Sequence, residues 1–314
     1  MSALPPAPLA ETGPGRPPAP GRRALAGPAT GAAGTTPSGP ASPRRSRRRA
    51  LGVAGAAVVL AWVAVALAAP RLAPYSPRQV DVVARLRAPS TAHPFGTDSL
   101  GRDVLSRVLV GARVSLPAGF AVVVAAAALG TLYGGVAAYA GPKAEEGLMR
   151  VTDLFLSFPP LLLAMAIAAA LGKGIVNTIV AMAVVWWPKY ARVARSLVLV
   201  QRSLEYVEAA RALGQGAGRV LLRHIVPNAA GPLVVLLTLD VGNAMITFAG
   251  LSFLGLGVVP PTPEWGAMVS EGQVLIEQWW VSTFPGLAIF TVVVGFNFVG
   301  DALRDWLDPR AARG

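Results

Sequence analysis

Few residues in this sequence have the types and spacing that chemistry needs, and they fall in two places. Residues 205–228, EYVEAARALGQGAGRVLLRHIVPN, carry two carboxylates, three arginines and a histidine between apolar runs on either side. Asp240 and Asn243 stand three residues apart inside the next apolar run, and Asn297 inside the last one. Carboxylates and amides in such settings bind, orient and transmit rather than break bonds. Bond-making groups are scarce: the chain has no cysteine and two histidines, His93 and His224, both outside the apolar runs. No thiolate site, disulfide or intramembrane histidine metal centre can be built, so no catalytic and no metal-binding residue is assigned. The nearest approach to a phosphate loop, Gly172-Lys173-Gly174, lacks the upstream glycine and the following Ser or Thr, so no cofactor is expected and ATP is not bound here.

The elements that must position these residues are helices in a bilayer. Of 314 residues 54% are hydrophobic and only 14% charged, with a mean hydropathy of +0.54. A soluble domain would carry about a quarter charged residues. The net charge of +12 is spread over the segments between apolar runs, which points to membrane topology and not to nucleic acid. Six runs are long enough to span: 51–69, 115–139, 148–171, 175–198, 229–250 and 283–300. The first competes with a cleaved signal peptide, because ALAAP at its end contains Ala-x-Ala, but its 19 residues exceed an ordinary signal core of about 7 to 15. Residues 1–49 form a disordered tail rich in Pro, Ala and Gly. It ends in the basic run RRSRRR, either a topogenic flank or a lipid-binding patch. Residues 50–112 form a first span plus an outer segment, 113–304 the main transmembrane domain with a loop at 200–228, and 305–314 a second tail.

Lys and Arg set the orientation. With the N-terminus inside, inner segments hold 20 and outer segments 8, so both termini and the 205–228 stretch are expected in the cytoplasm. Gly130 and Gly134 suggest close helix packing. Lys189, Arg192 and Arg195 share a helix face and read either as interfacial anchors or as a pathway lining. Asp240 and Asn243 face the same way and are expected to line a polar pathway or to fix packing by an interhelical hydrogen bond, with Asn297 a weaker companion. Trp265, Trp279 and Trp280 sit in an outer loop, where they can act as interface anchors.

Within 205–228, Tyr206, Val207, Ala210 and Leu213 are expected to form one apolar face, and Val220, Leu221, Leu222, Ile225 and Val226 a second. Gly214, Gly216 and Gly218 permit a turn between them, and Pro227 is expected to stop the second helix. Such a hairpin either docks a partner or packs back on its own spans.

The residues Glu208-Ala209-Ala210-x3-Gly214, followed by His224-Ile225-Val226-Pro227, resemble the EAA motif of ABC importer permeases. HPFGTDSLGRDVLSR, WWPKYARVAR, LSFLGLGVVPPTPEWGAM and FNFVGDALRDWLDPR are similar to the C-type permeases of the dipeptide/oligopeptide/nickel family, over about residues 50–310. The resemblance implies an all-α membrane protein with the type I importer permease fold. It implies a bacterial cell-membrane location, a second, B-type permease, two cytoplasmic ABC ATPases and an extracytoplasmic substrate-binding protein that the outer loop faces. It assigns ATPase coupling to the hairpin, with Glu205, Glu208, Ala209, Ala210, Gly214, His224 and Pro227 as its residues. Peptides are the expected cargo, with nickel, glutathione or an oligosaccharide as alternatives. A secondary transporter or channel is the rival of another class, but no inverted repeat of broken helices supports it.

Overall fold

The structure, a computed structural model, describes residues 43–307. The segment 1–42 and the end of the expected second tail, 308–314, lie outside the described residues. Among the described residues the chain is helical and forms no strand; Thr97 and Asp103 make an isolated bridge. The helices are α1 (Pro43–Leu72), α2 (Val104–Tyr139), α3 (Pro142–Leu156), α4 (Pro160–Leu171), α5 (Ile175–Arg202), α6 (Glu205–Ala212), α7 (Ala217–Val220), α8 (Val226–Phe253), α9 (Trp265–Gly272) and α10 (Trp280–Leu307). Among the described residues, four stretches have the length and apolarity to cross a bilayer: 49–72, 104–139, 217–253 and 280–307.

Each of the six expected runs falls in helix, but two differ from a plain span. The third is broken. α3 and α4 meet at 87° across Ser157-Phe158-Pro159, so together they make one bent span at most. Pro159 and Pro160 remove two amide donors in succession, and a proline disfavours helical geometry in the residue before it, so the helix cannot continue through the pair. The fourth run, in α5, is not among the stretches apolar enough to span on composition alone. The run carries Lys189, Arg192 and Arg195, with Arg202 closing the helix, and this face must be covered by something other than lipid.

Three boundaries also move. α1 starts at Pro43, so the basic run expected in the disordered tail begins a continuous helix instead. α2 starts at Val104, well before the expected 113–115, because Asp103 caps it by accepting from the Ser106 amide at 2.8 Å. Pro227 does not stop a helix. It lies in the first turn of α8, preceded by a π-turn at Leu221–Ile225 in which the Val226 amide reaches the Leu221 carbonyl, and helix is continuous from Ala217 to Phe253. A π-turn's wider spacing relieves the ring clash that proline causes in an α-helix.

α2 is the central helix. A methyl group at Gly130 or Gly134 would collide with the backbone of α5 at Trp187 and Ala191, and one at Gly119 with Met245 of α8. Small residues let the backbones approach where lipid offers no hydrophobic drive to association. α1 lies on α10 in the same manner, Gly52 and Gly55 against Ala302 and Phe298. The core between α2, α5, α8 and α9 holds Val122, Val123, Met182, Tyr190, Phe248, Leu251 and Trp265.

Trp265 and Trp280 are not surface anchors. Trp265 is fully buried, donates its indole N–H to the Val108 carbonyl at 2.9 Å and meets Trp62 edge-on. Trp280 is buried and donates to the Thr97 carbonyl at 3.1 Å. A partner for each N–H is what lets an indole enter a core. Trp279 alone of the three is exposed.

Candidate coupling and pathway site

The hairpin begins where α5 ends. Arg202 donates to the Ala138 carbonyl at the end of α2 at 2.6 Å, which ties the hairpin's entry to the bundle. α6 follows after a two-residue turn, with Glu205 and Glu208 in its first turn, where the helix dipole favours them. Gly214 ends it with φ +80°, a conformation that costs an L side chain about 1–2 kcal/mol. Nothing lies near the position of its missing Cβ, so the glycine is needed for its backbone and not for close contact. Gly216 and Gly218 have no positive φ; Gly214 alone makes the turn left-handed.

The expected single apolar face of α6 is split between two environments. Val207 and Ala210 are buried with Val220 and Ile225 against Ala138 of α2 and Val198 of α5. Tyr206 is exposed, and Leu213, at the tip, is 82% exposed. Glu205, Glu208, Ala209, Arg211 and Gly214 are exposed with them. The hairpin thus both packs on its own helices and presents a free edge. His224 is half-buried, with its Nε2 3.0 Å from Gln215 Oε1, which braces the returning helical limb of the hairpin against its turn. Asn228 donates to the His224 carbonyl at 2.7 Å, satisfying a carbonyl of the π-turn.

The intramembrane group is built differently from the sequence expectation. Asp240 is buried and Asn243 is exposed, so the two do not share an environment. Asp240 is held from α5 instead. Lys189 Nζ lies 2.7 and 2.9 Å from its two carboxylate oxygens, and the Tyr190 hydroxyl donates to Oδ2 at 2.9 Å. Asn297 of α10 is exposed and lies beside Gly242 of α8. Reading along one helix could not find Lys189 and Tyr190 as partners. The signal available was chemical: a carboxylate at that depth requires a cation, and Lys189 stands at the matching depth of another run.

Below Lys189 on α5, toward the hairpin, Arg192 pairs with Asp153 and Arg195 with Glu145, at 2.6 Å from its Nε. These pairs line a cleft of about 820 Å³ between α3 and α5, with Pro142, Glu146, Met149 and Arg150. The three basic residues that read as anchors or lining are each matched to a carboxylate on another helix.

At the opposite end, the HPFGTDSLGRDVLSR segment forms a second charged cluster, unrecognised as such in the sequence. Asp98 binds Arg102 at 2.7 Å and Arg107, and both arginines reach Glu271 of α9, at 3.0 and 2.6 Å. Glu264 caps α9, accepting from the amides of Gly266 and Ala267 at 2.9 Å and from Ser115 Oγ at 3.1 Å. Burial pushes its pKa above the ordinary carboxylate value, against the pull of these donors.

Nothing in these clusters pairs a nucleophile with a base at an open position. They position helices and present charge. Comparison with known proteins gives this arrangement its setting. The family model described as "binding-protein-dependent transport system inner membrane component" matches residues 104–313. The "N-terminal TM domain of oligopeptide transport permease C" matches 43–89. The chain is 44% identical over 262 residues to the probable D,D-dipeptide transport system permease protein of Escherichia coli K12, covering 83% of this chain and 88% of that one. It is 40% identical over 268 residues to the dipeptide transport system permease protein of Alkalihalophilus pseudofirmus, covering 85% and 88%. With the glutathione transport system permease protein of Pectobacterium atrosepticum it shares 43% over 269 residues, 85% and 89% of the two chains. Apolar helices around a charged hairpin, and a match to the permease model across two thirds of the sequence, lead to one conclusion: the chain belongs to the family of inner-membrane permease components of binding-protein-dependent transport systems.

Proposed function

We propose that this permease is one of two that form the pathway of an ATP-driven importer of di- and oligopeptides. Six spans carry the chain across the membrane with both termini in the cytoplasm. The second permease is of the B type, two cytoplasmic ATPases supply the energy, and an extracytoplasmic binding protein delivers the cargo. The observation that carries the reading is the two-sided hairpin. Val207, Ala210, Val220 and Ile225 seat it on α2 and α5, while Glu205, Glu208, Ala209 and Leu213 face outward. A rigid element held on the bundle by one edge and free along the other suits the transfer of rigid-body motion from an ATPase groove to the helices. His224 and Pro227 shape its return limb.

Peptide cargo is supported by relatives named for D,D-dipeptide and dipeptide transport. Glutathione, itself a small peptide, is the second reading, and a relative named for its transport supports it. The pathway runs along the face of α5 that holds Lys189. Asp240 acts as the buried counter-ion of this lining, and the exposed Asn243 and Asn297 contribute amides from α8 and α10.

Glu208→Lys and Gly214→Val test the coupling. Both leave the buried edge of the hairpin intact, so both variants should insert and recover the second permease normally. Peptide uptake in proteoliposomes should fall at least about tenfold, as should stimulation of ATPase activity by loaded binding protein, the loss expected when a charge-assisted contact or a turn is removed. Normal uptake by both variants would make the hairpin an ordinary connection.

A further inference from the structure

Building on the pathway reading above, we propose that the Lys189 ammonium is a binding site for the carboxylate of the transported peptide, presented by Asp240 and Tyr190. Lys189 lies at the midpoint of α5, about 20 Å from either end at 1.5 Å rise per residue. Its side chain is 47% exposed, whereas that of Asp240 is 2% exposed. A half-exposed lysine side chain at this depth cannot face hydrocarbon at tolerable cost, so it must face water, passing cargo or the second permease.

The geometry is one-sided. An ammonium has three donors and a carboxylate only acceptors. Lys189 directs Nζ at both oxygens of Asp240, and Tyr190 donates to the same carboxylate from the buried side. The acid is thereby enclosed and satisfied, while the third N–H of the ammonium remains for a further acceptor. An incoming group therefore meets a cation and not an anion. The other pairs on this helix face show less of this asymmetry, Arg195 and Glu145 being 36% and 16% exposed. Asp153 is as exposed as Arg192, at 57% against 53%. Because Asp240 already neutralises Lys189, attraction for a carboxylate is moderated, which suits a group that must be released toward the cleft at Arg192 and Arg195.

The test exchanges the charges. Complexes carrying Lys189→Asp with Asp240→Lys keep an ion pair between α5 and α8 but turn the anion outward. The complex is purified through this chain with its co-expressed partners and reconstituted with binding protein and ATP. Uptake of a free-acid dipeptide is then read beside yield and ATPase activity. The exchange should preserve yield yet lower uptake at least about tenfold, whereas Lys189→Arg should stay within about threefold of the parent, as retention of a charge-assisted donor requires. If the exchange assembles poorly, Lys189→Gln with Asp240→Asn, which keeps a hydrogen bond without charge, should show the same loss of uptake. Near-normal uptake by whichever assembles would make the pair purely structural and overturn the proposal. A parent complex that hydrolyses ATP but moves no peptide overturns the peptide reading itself, and this assignment with it, before any variant is compared.

Discussion

Arg102 and Arg107 illustrate what a buried charge demands of its neighbours. Each is 3–4% exposed at the side chain, and Asp98 and Glu271 together neutralise the pair. The cluster joins the segment before α2 to α9, so it fastens the end of the bundle opposite the hairpin. Replacing Glu271 by Gln keeps the shape but leaves one excess positive charge in a largely dry site. Removing one partner from a buried pair costs on the order of 3 kcal/mol. Glu271→Gln should therefore lower the thermal aggregation midpoint of the detergent-solubilised protein by several degrees. Glu146→Gln, which removes the exposed partner of Arg150, should leave that midpoint unchanged. Equal midpoints for the two variants would mean that the buried cluster does not hold the loop.

At the scale of elements, the spacing between α2 and α5 governs both candidate sites. Gly130 rests on the backbone at Trp187 and on Tyr190, so the separation of the two helices sets where Tyr190 and Lys189 meet Asp240. At the far end of the same pair, Ala138 and Val198 form the floor on which the hairpin sits. Gly130→Val must push the helices apart, and overpacking of this kind costs about 1–3 kcal/mol. The variant should lose thermal stability and peptide uptake together. Gly147 on α3 faces open space and has no positive φ, so Gly147→Ala should be neutral or stabilising by up to about 1 kcal/mol. A Gly130→Val protein as stable as the parent would show that the helices have room to spare.

For the whole molecule, the absence of cysteine makes orientation directly measurable. Ser90 and Ser203 are both exposed and lie toward opposite ends of the bundle. The excess of Lys and Arg in the segments on the hairpin side predicts that this side is cytoplasmic. Ser90→Cys should react with an impermeant thiol reagent in intact cells, and Ser203→Cys only after permeabilisation. Reaction of Ser203→Cys in intact cells would invert the topology and remove the hairpin from reach of any cytoplasmic ATPase.

Apolar length and local motif were legible from the sequence alone, because both are properties of consecutive residues. All six expected runs fall in helix, the third in two pieces, and the EAA hairpin places one short helix before Gly214, whose positive φ only glycine adopts freely, while the limb after it runs on into α8. The effect of a proline was not legible. Pro159-Pro160 breaks a span through 87°, while a π-turn lets the helix run on through Pro227. The outcome depends on how neighbouring carbonyls are satisfied, which one strand of sequence does not state. Charge partners were decided entirely by tertiary structure. Asp240 and Asn243 share a helix face at i, i+3, yet one is buried and the other exposed, because α5 approaches α2 and α8 closely enough to place Lys189 and Tyr190 on the carboxylate. A buried charge takes its partner from whichever helix packs beside it, so its pairing is known only once the packing is.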